Sequence, residues 1–318
     1  METITDAERK RLVQEKVRVV DRAVPRRPEL QSLWCRIRKP VVDQIESLAG
    51  QELQGARWPP LFLWLSRRPS EAATLEQALA AMKKQGGRGE FAHATSQLVE
   101  IVDSRQAYSR IIEIVMIGRC LERSQQGEVQ LHPVVNPPSR KRADLAVRVG
   151  TKQLYVEITV LTERMADEHF TIGIRDPKVD GGRIIAKLLD ELAEQLDPTK
   201  SQLSATAPNV IILMSGAVVG AYEHAFDWAF GALEDYPDRL RAAASSRARK
   251  RGLARNQEQL NAIVASFSRI SAILLFEDVL FRGCVHCRTW RSNSAKFPLD
   301  ETELDQAEQL FREPKGDR

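Results

Sequence analysis

Residues Arg142–Val160 read RADLAVRVGTKQLYVEITV, two β-rich runs on either side of Gly150-Thr151. A Gly-X pair suits a two-residue type II′ hairpin turn, because its first position needs a positive φ that glycine adopts without steric cost. Such a turn sets Val149 opposite Lys152 and, counting back along both strands, Asp144 opposite Glu157. Period-two alternation then puts Leu145, Val147, Val149, Leu154, Val156, Ile158 and Val160 on one face. Asp144, Ala146, Arg148, Gln153, Tyr155, Glu157 and Thr159 fall on the other. Turn chemistry and alternation are independent signals, and both point to one hairpin with one apolar face.

That register creates an electrostatic problem. Directly opposed residues have Cβ atoms about 4.5 to 5.5 Å apart, and like charges there repel. Two arrangements answer it equally well: a divalent cation held by the carboxylates, or an arginine bridge from Arg142 or Arg148. A third acid stands out upstream. Arg110–Gly118, RIIEIVMIG, is apolar nearly all round, as a buried helix should be, and Glu113 is the only charge between Ile111 and Ile117. A buried carboxylate needs a partner, whether a salt bridge or a functional one.

Reading outward from the hairpin, patterning predicts a long helix over about 97–123 and strands near 128–133, 143–149 and 153–160. A helix over about 181–196, strands at 210–214 and 271–276, a helical stretch over about 218–235 and an edge strand within 283–291 follow. This order implies an α/β fold with a mixed central sheet flanked by helices. Residues 1–95 read as a helical accessory region, with Trp34, Trp58 and Trp64 as core anchors. Lys84–Gly89, KQGGRG, has the composition of a linker, so the expected domains are 1–95 and 96–318. The connection from Leu161 to Gly182 is long enough to suggest a lid.

Composition narrows the class without naming it. At 43% hydrophobic and 28% charged residues, the 318-residue chain is neither disordered nor fibrous nor a disulfide-dense miniature. A charged N-terminus and the lack of a long apolar run argue against a secretion signal and a membrane span, so the expected compartment is the cytoplasm. Four scattered cysteines fit that setting. Cys284-Val-His-Cys287 is only half of a zinc site and reads better as strand thiols, and the five histidines do not cluster. Phosphate-loop, dinucleotide, zincin and nucleophile-elbow motifs are absent. The net charge of +4 is local in origin. Residues 239–255 hold seven basic residues and no acid, leaving 40 basic against 43 acidic residues elsewhere. A patch of this kind suits either a phosphate backbone or plain solvent.

A helix bearing Glu113, a first strand, Asp144 on the second and Glu157 on the third together resemble the PD-(D/E)xK nuclease superfamily, which has a restriction-endonuclease-like αβββαβ core. The resemblance covers roughly 97–215 and extends toward 300. It implies a metal-dependent nuclease that hydrolyses phosphodiester bonds of DNA or RNA with Mg²⁺ or Mn²⁺. Asp144, Glu157 and the backbone carbonyl of Ile158 would be the metal ligands, Glu113 the helix glutamate, and Gln195 the polar residue some members place beside the site. Arg140, Lys141, Arg142, Arg249, Lys250 and Arg251 are the expected nucleic-acid contacts, and the helical N-terminal region a module for a protein partner or substrate.

The sequence departs from the family in two places. Ala143 stands where proline is common, and Thr159 stands where the family usually has the lysine that polarises water and offsets charge on the phosphate. Neither Lys152 nor Lys187 substitutes: Lys152 has the parity of the apolar face, and Lys187 lies opposite the apolar stripe of its helix. The alternative is therefore an inactive nuclease-like module that binds nucleic acid or protein, and behind it an unrelated α/β scaffold with an arginine-bridged acid pair.

Overall fold

The computed structural model describes residues 5–49, 52, 56–125, 127–135, 141–161, 184, 188, 202–214, 223–231, 256–277 and 285–312. By their contacts the described residues up to Glu122 form one unit and those from Arg123 onward a second.

The first unit is helical: α1 (Asp6–Ala23), α2 (Pro28–Ser47), α3 (Pro60–Arg67), α4 (Ala72–Ala81), α5 (Gly87–Glu100) and α6 (Ser104–Arg123). Helix α1 starts at a capping box in which Thr5 and Glu8 satisfy each other's backbone N–H groups. Proline opens α2 and α3 at positions whose N–H a helix does not use. Trp34 and Trp64 are buried and Trp58 is half-buried. Trp34 stacks on Phe62 at 5.8 Å, and Trp58 meets the same ring edge-on at 6.0 Å.

Two helical expectations are corrected. The Gly-rich stretch 84–89 is not a linker: a π-helical turn, Met82–Gly86, runs into α5, and the break is confined to Gly87, whose φ is +84°. The single helix expected over 97–123 is two. Ile101 leaves the helix with an extended backbone, and Asp103 starts α6 by accepting the Gln106 N–H at 2.9 Å. An apolar periodicity that continues across residues 101–103 hid this cap. Helix α6 also packs backbone to backbone on α4, since a Cβ added at Gly118 would lie 2.4 Å from the Ala78 Cα.

The second unit is an α/β fold around a six-stranded mixed sheet in the order β1-β2-β3-β4-β5-β6. The strands are β1 (Val129–Leu131), β2 (Leu145–Val149), β3 (Lys152–Val160), β4 (Asn209–Met214), β5 (Ile270–Glu277) and β6 (Val285–Arg291). The β1-β2-β3 meander and the β5-β6 pair are antiparallel, whereas β3, β4 and β5 run parallel. The hairpin register is the one the sequence predicts, from Val149↔Lys152 to Leu145↔Val156. Gly150 has φ +57° and Thr151 does not share the positive region, as a type II′ turn requires.

Every residue of β4 and β5 is buried, because both faces are covered. On the face of Leu154 and Val156 lies α9 (Glu301–Phe311): Lys152 pairs with Glu303 at 2.7 Å, and Phe311 packs on Phe276 at 6.3 Å. On the opposite face, the short helix α7 (Glu223–Phe226) and the π-helical turn Asp227–Gly231 pack on β6. There Phe230 meets Trp290 at 5.6 Å, and Arg288 pairs with Glu223 and Asp227. Helix α8 (Gln257–Ala265) precedes β5. Of the helix expected at 181–196, Ile184 and Leu188 are helical and fully buried, and the rest lies outside the described residues. Among the described residues no helix is long and apolar enough to cross a membrane.

The entry to β4 hangs on one side chain. Buried Asn209 accepts the Ser204 N–H at 2.6 Å and donates to the carbonyls of Ser204 and Arg269, both at 2.9 Å. It thereby joins the approach to β4 to the approach to β5.

Two substitutions test this packing by denaturant unfolding. Gly118→Ala lowers stability by about 2 kcal/mol through overpacking against Ala78. Asn209→Ala lowers it by about 3 kcal/mol, since it strands one buried N–H and two carbonyls.

Candidate metal centre

Beside Asp144 and Glu157 the hairpin is irregular on its β2 side. Paired residues continue past Leu131↔Leu145, with the His132 N–H donating to the Asp144 carbonyl at 3.0 Å and a bridge from Val134 to Arg142. On the β3 side the ladder stops at Leu145↔Val156. The next rung would join Ala143 to Ile158, but the Ala143 N–H turns to the Pro133 carbonyl on the other side, at 3.2 Å. The Asp144 side chain takes the vacated place, and its Oδ2 accepts the Ile158 N–H at 2.7 Å.

Three consequences follow for the site. The Asp144 carboxylate is anchored on β3 one residue from Glu157. The carbonyl of Ile158 leaves β3 on the same edge as its N–H, beyond the last β2–β3 rung, because N–H and C=O of one strand residue point the same way. Glu157 and Thr159 stand on the face of β3 opposite Val156 and Ile158, at 8% and 3% exposure. Two carboxylates and a backbone carbonyl are hard oxygen donors of the kind that Mg²⁺ and Mn²⁺ take, with water and substrate completing the shell. Among the described residues no group of three or more His, Cys, Asp or Glu side chains has metal-ligand spacing.

Arg142 and Arg148, the two candidates for an arginine bridge, are both exposed. Lys152 points away, as its parity predicts, with its Nζ held by Glu303 at 2.7 Å and the Pro298 carbonyl at 3.2 Å. Thr159 brings a buried hydroxyl to the face of β3 that carries Glu157. Of the expected phosphate contacts, Lys141 is half-buried and Arg142 exposed, with the Arg142 carbonyl held by Gln202 Nε2 at 3.3 Å. Arg140, Gln195, Arg249, Lys250, Arg251 and the expected lid at 162–182 lie outside the described residues.

Glu113 belongs to the helical unit and is half-buried. Its carboxylate pairs with Arg110 one turn earlier on α6, while the Arg110 Nε and Nη2 are buried without a hydrogen-bond partner. This short-range ion pair answers the need for a partner that the apolar surroundings imply.

Two further residues escaped sequence reasoning. His132, next to Asp144 across the β1–β2 pairing, holds φ +46°, and among the described residues it is the only non-glycine with positive φ. Strain of about 1 to 2 kcal/mol at such a position persists only where surrounding structure enforces it, and no sequence pattern encodes it. Glu277 ends β5 with no exposed surface, on the side of the sheet that carries Glu157. The only signal for it in the sequence is an acid directly abutting the apolar run ISAILLF.

The Asp144 anchor has a measurable signature. Asp144→Ala leaves the Ile158 N–H without its acceptor and lowers stability by about 2 kcal/mol in metal-free buffer, whereas Asp144→Asn keeps an acceptor oxygen and changes it by less than about 1 kcal/mol. Equal losses in denaturant unfolding would show that the hydrogen bond is not what holds β2 to β3 here. Compared with protein-family models, curated proteins and solved structures, the chain finds no significant match.

Proposed function

We propose that the second unit is a divergent PD-(D/E)xK-type, divalent-metal-dependent nuclease that hydrolyses phosphodiester bonds in DNA or RNA. The observation that carries this reading is the Asp144 carboxylate seated on the Ile158 N–H beside buried Glu157, where β2 parts from β3. The order of elements supports it, because an antiparallel three-strand meander leads through a segment with helical, buried Ile184 and Leu188 to a parallel fourth strand. That is the arrangement expected of a restriction-endonuclease-like core.

In this mechanism Asp144, Glu157 and the Ile158 carbonyl would hold Mg²⁺ or Mn²⁺. The bound cation contributes Lewis acidity toward the scissile phosphate and acidifies water. Burial of Glu157 and Thr159 limits water around the acids, which strengthens their hold on a cation. The Thr159 hydroxyl can orient a water molecule by hydrogen bonding but cannot neutralise phosphate charge. That task passes to the basic run Arg140–Arg142 just before Asp144 and to the basic segment 239–255. The reading does not require Glu113 or Gln195 as a catalytic residue. The helical unit serves as a module for substrate or protein-partner selection, and the protein acts in the cytoplasm.

Thr159 in place of lysine favours a second reading, a nuclease-like module that binds nucleic acid or protein without cleaving. The two separate in one experiment on the full chain. Labelled single- and double-stranded DNA and RNA are incubated with Mg²⁺ or Mn²⁺, with thermal melting recorded at the same metal concentrations. The nuclease reading expects metal-dependent cleavage that falls roughly 100-fold or more in Glu157→Gln, and a metal-induced rise in melting temperature that is lost in Asp144→Ala. Intact substrates with retained binding support the module. Metal stabilisation that survives both substitutions overturns the site.

A further inference from the structure

The face of the sheet opposite the acids carries a second polar cluster, where the last turn of α9 docks on edge strand β6. Its centre is His286, half-buried against the Phe276 ring at 5.2 Å. The hydrogen bonds around it define its protonation state. Nε2 lies 3.1 Å from the Arg288 carbonyl and 2.7 Å from Thr289 Oγ1. A carbonyl can only accept, so Nε2 carries the proton. Nδ1 lies 2.8 Å from Arg312 Nη2, and a guanidinium can only donate, so Nδ1 must present a lone pair. The ring is therefore neutral. The circuit closes through Glu308, whose carboxylate accepts from Thr289 Oγ1 on one oxygen and from Arg312 on the other. Each member has its role assigned, and none can change without disturbing the next.

We propose that His286 is a proton-sensitive lock on the C-terminal turn of α9: neutral, it accepts Arg312 and completes the circuit; protonated, it expels Arg312 and loosens the turn from β6. A proton on Nδ1 would set one N–H against another across 2.8 Å, while Glu308 Oε2 is 3.5 Å away and already engaged by Arg312. Among the described residues the charges facing the ring are few. Helix α9 contributes Glu308 and Arg312, and β6 contributes Arg288, whose guanidinium is turned to Glu223 and Asp227 on the other face of the sheet. Strand β5 contributes only the Phe276 ring. Burial, helped by Arg312 and Arg288, holds the imidazole below its ordinary value, and these outweigh Glu308 and the bond to the Arg288 carbonyl. A depressed folded value means that the contribution to stability is complete above the free-histidine range near 6.5. It is lost as pH falls from there through the folded value.

Arg312 is the last described residue of the chain and caps α9, whose other end is tied by Glu303 to Lys152 beside the hairpin turn. The lock therefore acts at the C-terminal end of α9, next to the Phe311–Phe276 contact. This holds whether or not Asp144 and Glu157 bind metal.

Two measurements on the full chain test the lock. Imidazole resonances of ¹³C-histidine-labelled protein, with His286 assigned by its loss in His286→Gln, should titrate below the free-histidine range in the wild type and move upward in Arg312→Gln. Amide exchange over residues 301–312, corrected for intrinsic rates, should show about tenfold less protection at about pH 5.5 than at about pH 7.5 in the wild type. In His286→Gln the protection should be the same at both pH values. A wild-type His286 that titrates at or above about 6.5, or exchange that does not change with pH, overturns the proposal. Should His286→Gln fail to fold, the comparison of wild type with Arg312→Gln decides the question, since removing the cation should raise the histidine value and weaken the pH dependence.

Discussion

A two-residue turn at Gly150-Thr151 governs everything downstream of it. Because side chains alternate with period two, a slip of β3 by one residue along β2 would carry the apolar set Leu154, Val156, Ile158 and Val160 to the other face and take Glu157 out of line with Asp144. Only glycine takes φ +57° at the first turn position without penalty, so a single residue type selects the register. Strand β3 then passes that register to β4 and β5 through parallel pairing, which runs from Tyr155↔Asn209 to Val160↔Met214. The acids and the docking surface for α9 are two faces of the same choice.

The parts of the fold legible in the sequence are those whose forces are local. The hairpin, the apolar strands at 210–214 and 271–276 and the edge strand before Arg291 all appear at the expected places, since alternation and β-branched content act over a few residues. The break between α5 and α6 was not legible, because the apolar stripe continues through Ile101 and Val102 and only the Asp103 side chain marks the new start. The Gly-rich stretch misled for the opposite reason: its glycines suggest a linker, yet only Gly87 uses a conformation closed to other residues. Helix α9 carries a readable start signal in the Asp300–Glu303 capping box, whereas the circuit that seats its far end joins residues up to 26 positions apart.

The candidate site shows the same division. The turn predicts Asp144 opposite Glu157, and the observed ladder carries that register as far as Leu145↔Val156. The departure of β2 from β3 at Ala143, which turns Asp144 onto the Ile158 N–H, depends on where the Ala143 N–H finds its partner, and that partner lies on β1. Ala143 is significant here in a way the comparison with proline did not anticipate. Its N–H is used, at 3.2 Å to Pro133, and proline would have none to give. This chain thus holds β2 to β1 by a hydrogen bond that a proline at 143 would forgo.

The position of α9 has a consequence for how the chain is made. The apolar face of the β2–β3 hairpin is complete once residue 160 has been synthesised, but its cover includes residues 301–311, and the bond between Lys152 and Glu303 spans 151 positions. During translation the strip of leucine and valine side chains is formed long before the helix that shields it. Contacts of such sequence separation slow the final collapse and leave an adhesive intermediate. Elongation pauses or chaperone capture between these two stretches should therefore affect the yield of native protein more than an equal delay within the N-terminal helices, whose packing partners emerge close together.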